Sequence, residues 1–136
     1  MGRIVALDYG GKRCGLAMTD PLGMFAVGLD TVPTELLIKE IKRLDDTHQI
    51  EKLIIGLPLR MSGELSAIEE QIQRTISNIS KAIESLPIER LDERFTSKLA
   101  MQTMIEAGAS KKQRRNKETI DKISATLLLQ EYLNSR

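Results

Sequence analysis

Residues 3–30 read RIVALDYGGKRCGLAMTDPLGMFAVGLD, and this stretch decides the fold. It contains three short apolar runs, which are predicted strands: 3–9, 14–19 and 24–30. Turns containing glycine or proline, at 10–13 and 20–23, separate the runs. Because these connections are too short to cross over a sheet, the three strands are predicted to form an antiparallel meander.

The pattern changes downstream of the meander, where helices and strands alternate. The first predicted helix follows Pro33 and directs four residues inward: Leu36, Leu37, Ile41 and Leu44. A nearly all-apolar run at 52–57 predicts a strand with both faces covered. A long helix follows, with apolar residues at spacings of three and four from Ile68 to Leu86, and Pro87 is predicted to end it.

The last third of the chain repeats this alternation. Residues 88–92 (IERLD) predict a fifth strand. A helix capped by Thr96 or Ser97 is predicted to run to Gly108. The last helix is predicted to start near Glu118 and to direct four residues inward: Ile120, Ile123, Leu127 and Leu128. The fold class is therefore α/β, with a five-stranded mixed sheet (a three-stranded antiparallel meander plus two parallel strands) and helices on both faces.

Composition narrows the possible functions. A chain of 136 residues predicts one domain spanning 1–136. The single cysteine, Cys14, excludes a disulfide framework and a multi-cysteine zinc site, and it is expected to be a small buried residue. The absence of Trp, with only 2 Tyr and 2 Phe, argues against stacking of successive bases. No secretory signal or membrane span is recognisable, which predicts a cytoplasmic protein that does not engage membranes.

Acidic residues stand where an α/β sheet normally gathers its ligands, at the carboxyl ends of strands. Asp8 ends the first strand, Asp92 and Glu93 end the fifth, and Asp121 lies in the first turns of the last helix. Carboxylates brought together repel one another unless a cation lies among them. Oxygen ligands without His or Cys suit Mg²⁺ or Mn²⁺, so this pattern indicates two-metal phosphodiester hydrolysis.

Each acid also has a purely structural interpretation, which the sequence leaves open. Asp8 could accept hydrogen bonds from the following Gly10-Gly11 turn. Asp92 and Glu93 could form a solvated turn with a local ion pair, and Asp121 could favour the positive end of the helix dipole. Their joint placement in this topology favours the catalytic interpretation.

Basic residues flank two of these acids. Lys12 and Arg13 follow Asp8 in a glycine-rich turn, which is either an ordinary hairpin turn or a phosphate contact. The run before Asp121 holds five cations: Lys111, Lys112, Arg114, Arg115 and Lys117. That run is either a solvated loop or a phosphate-binding segment, and its position beside Asp121 favours phosphate binding. The net charge of +1 does not by itself indicate nucleic acid.

Four stretches together resemble the signature blocks of the YqgF family, also called RuvX: ALDYGGKRCGLAMTD (6–20), IIGLPLRMSGE (54–64), LDERFTS (91–97) and IDKISATLLLQEYL (120–133). They occur in family order and cover essentially the whole chain. Members of this family are described as nucleases of pre-16S rRNA or as Holliday junction resolvases. The resemblance implies the ribonuclease-H-like fold, which agrees with the predicted topology.

The resemblance also implies roles for particular residues. Asp8, Glu93 and Asp121 correspond to the catalytic acids that bind Mg²⁺ or Mn²⁺, with Asp92 as the second choice for Glu93. Arg94 and Thr96 are expected to contact phosphate or to support the acids. This sequence has Arg60 where many members carry Asn, and a cation there is compatible with phosphate contact.

The expected function is therefore metal-dependent nuclease activity on structured nucleic acid, with processing of the 5′ end of pre-16S rRNA as the first hypothesis. The alternative enzymatic function is that of a Holliday junction resolvase, which cuts branched DNA. A non-catalytic nucleic-acid-binding assembly factor is the alternative outside enzymes, although retention of all three acids argues against it. Expected partners are pre-rRNA or a DNA junction, together with ribosome-assembly factors, and the sequence is compatible with a monomer or a homodimer.

Overall fold

The computed structural model describes residues 2–59, 62–92 and 117–136. Within them lie six strands: β1 (Arg3–Asp8), β2 (Arg13–Thr19), β3 (Ala26–Gly28), β4 (Val32–Pro33), β5 (Ile50–Leu57) and β6 (Ile88–Asp92). The same residues form three α-helices: α1 (Leu37–His48), α2 (Glu69–Ala82) and α3 (Lys117–Ser135). None of the helices described is long and apolar enough to cross a membrane.

The strands form one mixed sheet in the order β3-β2-β1-β5-β6, and β4 pairs with one end of β2. The pairs β1–β2 and β2–β3 are antiparallel, whereas β1–β5 and β5–β6 are parallel. The predicted α/β class, the meander and the two parallel strands are confirmed. Strand β4 was not predicted, because two residues are too few to show a periodic pattern.

Helices cover both faces of the sheet, and the sheet separates the apolar core into two clusters. Leu7 of β1 packs with residues of α1 and α2, in the larger apolar cluster. Ala6, its neighbour in the strand, packs with Ala125 and Leu128 of α3, in the smaller cluster. Side chains alternate between the faces of a strand, so each strand position is assigned to the α1/α2 face or to the α3 face.

Several predicted boundaries differ from the structure, by one or two residues at β1, β2 and β5 and as follows at β3, α1 and α2. Met24 and Phe25 belong to the turn rather than to β3, because their backbone N–H groups donate to the Asp20 carboxylate at 2.8 and 2.9 Å. Leu36 is 47% exposed, since it lies in a 3₁₀ turn before α1 and not on its buried face. Helix α2 ends at Ala82 rather than at Pro87.

The buried face of α3 also differs from the prediction. From residue 120 onward, where the structure describes the side chains of α3, the fully buried residues are Ser124, Ala125, Leu128 and Leu129. Ile120, Ile123 and Leu127 are only partly buried, although Leu128 was predicted correctly. The small residues Ser124 and Ala125 are as deeply buried as the two leucines, and their size allows α3 to approach the sheet closely. A prediction based on large apolar residues alone therefore rotates the helix away from its true orientation.

Candidate active site at the carboxyl end of β1

A cavity of about 360 Å³ opens where β1 ends and the chain turns toward β2. Its lining comprises Asp8, Tyr9, Gly10, Gly11, Lys12, Arg13, Ile68 and Asp121. The cavity thus contains two of the three acids predicted from the sequence, together with both cations of the first turn. Residues more than 100 positions apart in the chain meet here because α3 packs across β1 and β2.

Asp8 and Asp121 approach the cavity from the same face of the sheet. Asp8 follows Ala6 by two positions in β1 and therefore lies on the α3 face. Its antiparallel partner in β2 is Gly15. The position that a Cβ would take at Gly15 falls against the backbone carbonyl oxygen of Asp121, and 2.7 Å from its carbonyl carbon. The two acids are therefore neighbours across one glycine.

Both acids affect the pKa of the Cys14 thiol. Burial raises the pKa of Cys14, the hydrogen bonds with Thr34 and Gly10 lower it, and the negative charges of Asp8 and Asp121 raise it further. Sγ lies 3.4 Å from the Thr34 hydroxyl and 3.8 Å from the Gly10 carbonyl oxygen. The thiol therefore stays protonated near neutral pH, which makes Cys14 a core residue and a poor metal ligand.

The turn that carries Lys12 and leads into Arg13, the first residue of β2, is anchored to the start of the 3₁₀ turn (Thr34–Leu36). The Thr34 hydroxyl donates to the Gly10 carbonyl oxygen at 2.7 Å, and the Thr34 N–H donates to the Lys12 carbonyl oxygen at 3.0 Å. These bonds use backbone oxygens of the turn and leave its cationic side chains at the cavity. Lys12 is exposed and Arg13 is half-buried, so both can meet a phosphate group that approaches the acids.

Asp92 lies on the opposite face from Asp8. In β6, Ile88 packs with the α1/α2 cluster and Leu91 packs with the α3 cluster. Asp92 follows Ile88 by four positions and therefore lies on the α1/α2 face. This placement argues against Asp92 as a partner of Asp8 and Asp121, and leaves Glu93 as the first choice at this strand end.

Several predicted residues lie outside the residues that the structure describes: Arg60, Glu93, Arg94, Thr96, Lys111, Lys112, Arg114 and Arg115. Lys117 is the first residue of α3. Within the described ranges, no group of three or more Asp, Glu, His or Cys side chains is arranged to hold a metal ion. A complete three-acid site therefore depends on Glu93, and its assignment stays a prediction.

An ion pair that the sequence did not predict lies beside this site. Arg90 of β6 binds both carboxylate oxygens of Glu69, at 2.7 and 2.8 Å, at the start of α2. The same guanidinium donates to the carbonyl oxygens of Ile55 at 3.3 Å and of Gly56 at 2.9 Å. It thus ties the carboxyl ends of β5 and β6 to the helix that follows Ile68 in the cavity wall. The one signal in the sequence is that the predicted strand IERLD contains a charged residue, Arg90, which needs a partner if it is buried.

Comparisons with known proteins identify the family and the fold of the chain. The family model of RuvX, described as Holliday junction resolvase, matches residues 2–135. A Bacteroides thetaiotaomicron protein named "Putative pre-16S rRNA nuclease" is 48% identical over 136 residues, which cover 100% of this chain and 99% of the relative. A protein of the same name from Bacteroides fragilis is 46% identical over the same length and coverage.

Solved structures share the fold at low sequence identity. Thermus thermophilus RuvC in complex with a Holliday junction substrate superposes with a TM-score of 0.59 at 13% identity, covering 100% of this chain and 96% of RuvC. The fowlpox virus resolvase in complex with Holliday junction DNA superposes with a TM-score of 0.56 at 12% identity, covering 98% and 97%. The resemblance and the fold predicted from the sequence are confirmed, and the chain belongs to the RuvX family, described as Holliday junction resolvase.

Proposed function

We propose that this nuclease hydrolyses phosphodiester bonds of structured RNA in the 5′ region of pre-16S rRNA, with divalent cations held by Asp8, Asp121 and Glu93. One observation carries the proposal: Asp8 and Asp121 line one cavity from the same face of the sheet, across Gly15. The names of relatives that are 46–48% identical over the full chain support RNA as the substrate.

The groups at the cavity suit Mg²⁺ or Mn²⁺. The acidic side chains supply hard oxygen donors, and the nearby thiol of Cys14 is buried with a raised pKa, so it does not compete as a soft ligand. Of the residues that the structure describes, Asp8 and Asp121 would hold the cations. Glu93 is the predicted third ligand. Divalent cations bound there would supply an activated water and would neutralise charge on the leaving oxygen.

The chain's own residues account for binding and orientation of the substrate. Lys12 and Arg13 stand on the cavity wall beside Asp8 and are placed to bind the phosphates that flank the cleaved bond. Gly10 and Gly11 expose backbone there without bulk, so a phosphate can come close to the acids. Phosphoryl transfer asks the protein chiefly for position and charge, and this site needs no histidine base.

A resolvase acting on branched DNA is the second candidate. Two observations favour it: the family model carries that description, and the chain superposes on RuvC and on the fowlpox virus resolvase over nearly its full length. Resolution requires two matched cuts and hence two sites related by a twofold axis. A protein that stays monomeric on a four-way junction would therefore count against this candidate.

A cleavage assay separates the candidates. Purified protein is incubated with Mg²⁺ or Mn²⁺ and either a 5′ precursor fragment of 16S rRNA or a four-way DNA junction. Asp8→Asn tests the site, and Asp46→Asn is its matched control, because Asp46 is an exposed aspartate of α1 that does not line the cavity.

We expect RNA cleavage that Asp8→Asn abolishes and Asp46→Asn preserves. Paired cuts in the junction with intact RNA would replace the first candidate by the second. Binding of either nucleic acid without cleavage, under every metal condition, would favour a non-catalytic assembly factor. Normal cleavage by Asp8→Asn would show that the metal site lies elsewhere.

A further inference from the structure

Gly15 lies between the two acids of the cavity. It is the antiparallel partner of Asp8 in the β1–β2 ladder. On its other side, the backbone of α3 rests directly on it: a Cβ at this position would fall against the Asp121 carbonyl oxygen, 2.7 Å from the Asp121 carbonyl carbon and 3.4 Å from the Ala125 Cβ. The space that a methyl group would need is therefore already filled by helix backbone.

We propose that Gly15 is a positioning residue, whose missing side chain sets the separation of Asp8 and Asp121 at which they share divalent cations. This inference rests on the proposed metal-dependent activity. It assigns to Gly15 a role in metal binding that is separate from the role of a flexible turn residue, because Gly15 lies inside β2 and not in the turn.

The surroundings of Gly15 leave α3 as the part that must move. Gly15 is held in place by its pairing with Asp8 of the central strand β1, and its neighbours Cys14 and Leu16 are both buried. The two nearest atoms that a Cβ at Gly15 would meet belong to the Asp121 backbone carbonyl of α3, and they cannot rotate aside as a side chain would. A methyl group at Gly15 would therefore lift the first turns of α3, and Asp121 with them, away from Asp8.

Two other glycines provide a graded control. At Gly28, which also faces α3, a Cβ would meet side-chain atoms, the Thr126 hydroxyl at 2.8 Å and the Lys122 Cε at 3.1 Å. At Gly11, which lines the same cavity, nothing lies within 4 Å. Gly28→Ala shows the effect of a methyl group that contacts α3 at Lys122 and Thr126 rather than at Asp121. Gly11→Ala shows the effect of a methyl group that lines the cavity without contacting α3.

The first experiment compares Gly15→Ala, Gly28→Ala and Gly11→Ala in the full chain. Mn²⁺ binding is measured by electron paramagnetic resonance without substrate, and cleavage kinetics and thermal melting are measured in parallel. For Gly15→Ala we expect Mn²⁺ affinity and kcat to fall by about tenfold or more, as happens when residues that orient metal ligands are changed, with KM nearly unchanged. In the absence of substrate both controls should bind Mn²⁺ like the wild type, and Gly28→Ala, which does not line the cavity, should also keep the wild-type kcat.

The second experiment uses Asp121→Glu, whose side chain carries the same charge at a longer reach. In the wild-type background the longer side chain should misplace the carboxylate and weaken Mn²⁺ binding. In the Gly15→Ala background it should recover part of the lost affinity, because the longer reach offsets the raised helix. A general loss of stability would not be reversed by this second change.

Several results would overturn the inference. One such result is that Gly15→Ala binds Mn²⁺ as tightly as Gly11→Ala does. Another is that Gly28→Ala loses as much Mn²⁺ affinity as Gly15→Ala does. If Gly15→Ala fails to fold, Asp121→Glu alone decides, since wild-type Mn²⁺ binding by this variant would show that the separation is not critical. A wild-type protein that neither binds Mn²⁺ nor cleaves would instead refute the proposed function.

Discussion

Asp8 and Asp121 line the same cavity, and a divalent cation is the natural counter-ion for acidic side chains gathered in one place. A cation that binds only the folded protein stabilises it by RT ln(1 + c/Kd), where c is the free cation concentration, so the stabilisation grows with the logarithm of that concentration. We expect Mg²⁺ or Mn²⁺ to raise the melting temperature of the wild type, by an amount equivalent to about 2.7 kcal/mol at a hundredfold excess over Kd.

The same cations should leave the melting temperature of Asp8→Asn unchanged, because this change removes a ligand without changing the size of the side chain. Asp46→Asn should respond to the metal like the wild type. Equal metal-induced shifts in all three proteins, measured by calorimetry, would place the stabilising cation outside this cavity.

Cys14 offers a chemical probe at the same scale. Its thiol is fully buried and its pKa is raised, chiefly by burial. A raised pKa means that less thiolate is present at any pH near neutrality than in an exposed cysteine, and only the thiolate reacts with iodoacetamide. We expect alkylation of the native protein at pH 8 to be at least about a hundredfold slower than that of the unfolded chain. Alkylation at the unfolded rate would contradict the burial of Cys14 in the β-sheet core.

Individual site residues were predictable from sequence to different degrees. Asp8 and Asp121 could be found because each stands at the end or the start of a recognisable element. Gly15 could not be distinguished from any other strand glycine, because its importance comes from the α3 backbone that rests on it. The partner of Arg90 was equally unpredictable, since Glu69 belongs to a helix 21 positions away.

Among the elements, α2, β5 and β6 are joined by the Glu69–Arg90 ion pair. The side chains are 10% and 20% exposed, and Gln73 also donates to Glu69 at 2.7 Å. Removing one partner of a buried pair leaves the other charge uncompensated, which typically costs 3–5 kcal/mol. We expect Glu69→Gln to lower the free energy of unfolding by about 2–3 kcal/mol, which is below that range because the pair is not wholly buried.

The pH dependence of this effect has a definite sign. The hydrogen bonds from Arg90, and then from Gln73, hold the pKa of Glu69 below its usual range. Its stabilisation is therefore fully present above the usual pKa of a glutamate and is lost as the pH falls through the lower, folded-state pKa. Glu69→Gln should thus be destabilised at neutral pH and should approach the wild type in strong acid.

The exposed Glu40–Arg43 pair of α1 is the control for this prediction, because its side chains are 29% and 60% exposed. Surface pairs contribute little, so Glu40→Gln should unfold like the wild type in urea at neutral pH. If Glu40→Gln and Glu69→Gln lowered the free energy of unfolding equally, the Glu69–Arg90 pair would contribute no more to stability than an exposed pair.

Most elements could be predicted because their apolar periodicity is strong, as in α1, α2 and β5. Errors occur where tertiary contacts override periodicity. The end of α2 illustrates this: Ile83 is extended and Ser85 has a φ of 66°, so the chain leaves the helix early, although Ile83 and Leu86 still pack against the core. The inward face of α3 follows the small residues Ser124 and Ala125, which periodicity of large apolar residues does not detect.

At the scale of the whole molecule, charge is nearly balanced, with 20 basic and 19 acidic residues. Attraction to a polyanion must therefore come from where the cations lie. The sheet order places the turn after β1 at one end of the sheet, where Lys12 and Arg13 share a cavity with Asp8. The basic run at 111–117, outside the described residues except for Lys117, stays a predicted second contact. Binding should accordingly depend on a few local phosphate contacts rather than on the net charge.

The salt dependence of nucleic-acid binding tests this distribution of charge. Each phosphate neutralised by a cation contributes about 0.7 to the slope of log K against log salt for single strands and about 0.9 for duplex DNA. If Lys12 and Arg13 each bind one phosphate, the double variant Lys12→Gln/Arg13→Gln should flatten the slope by about 1.4–1.8. The control is Lys39→Gln/Lys42→Gln, which removes the same charge from exposed positions of α1. If both double variants changed the slope equally, only overall charge would matter, and the turn after β1 would be an ordinary solvated hairpin turn.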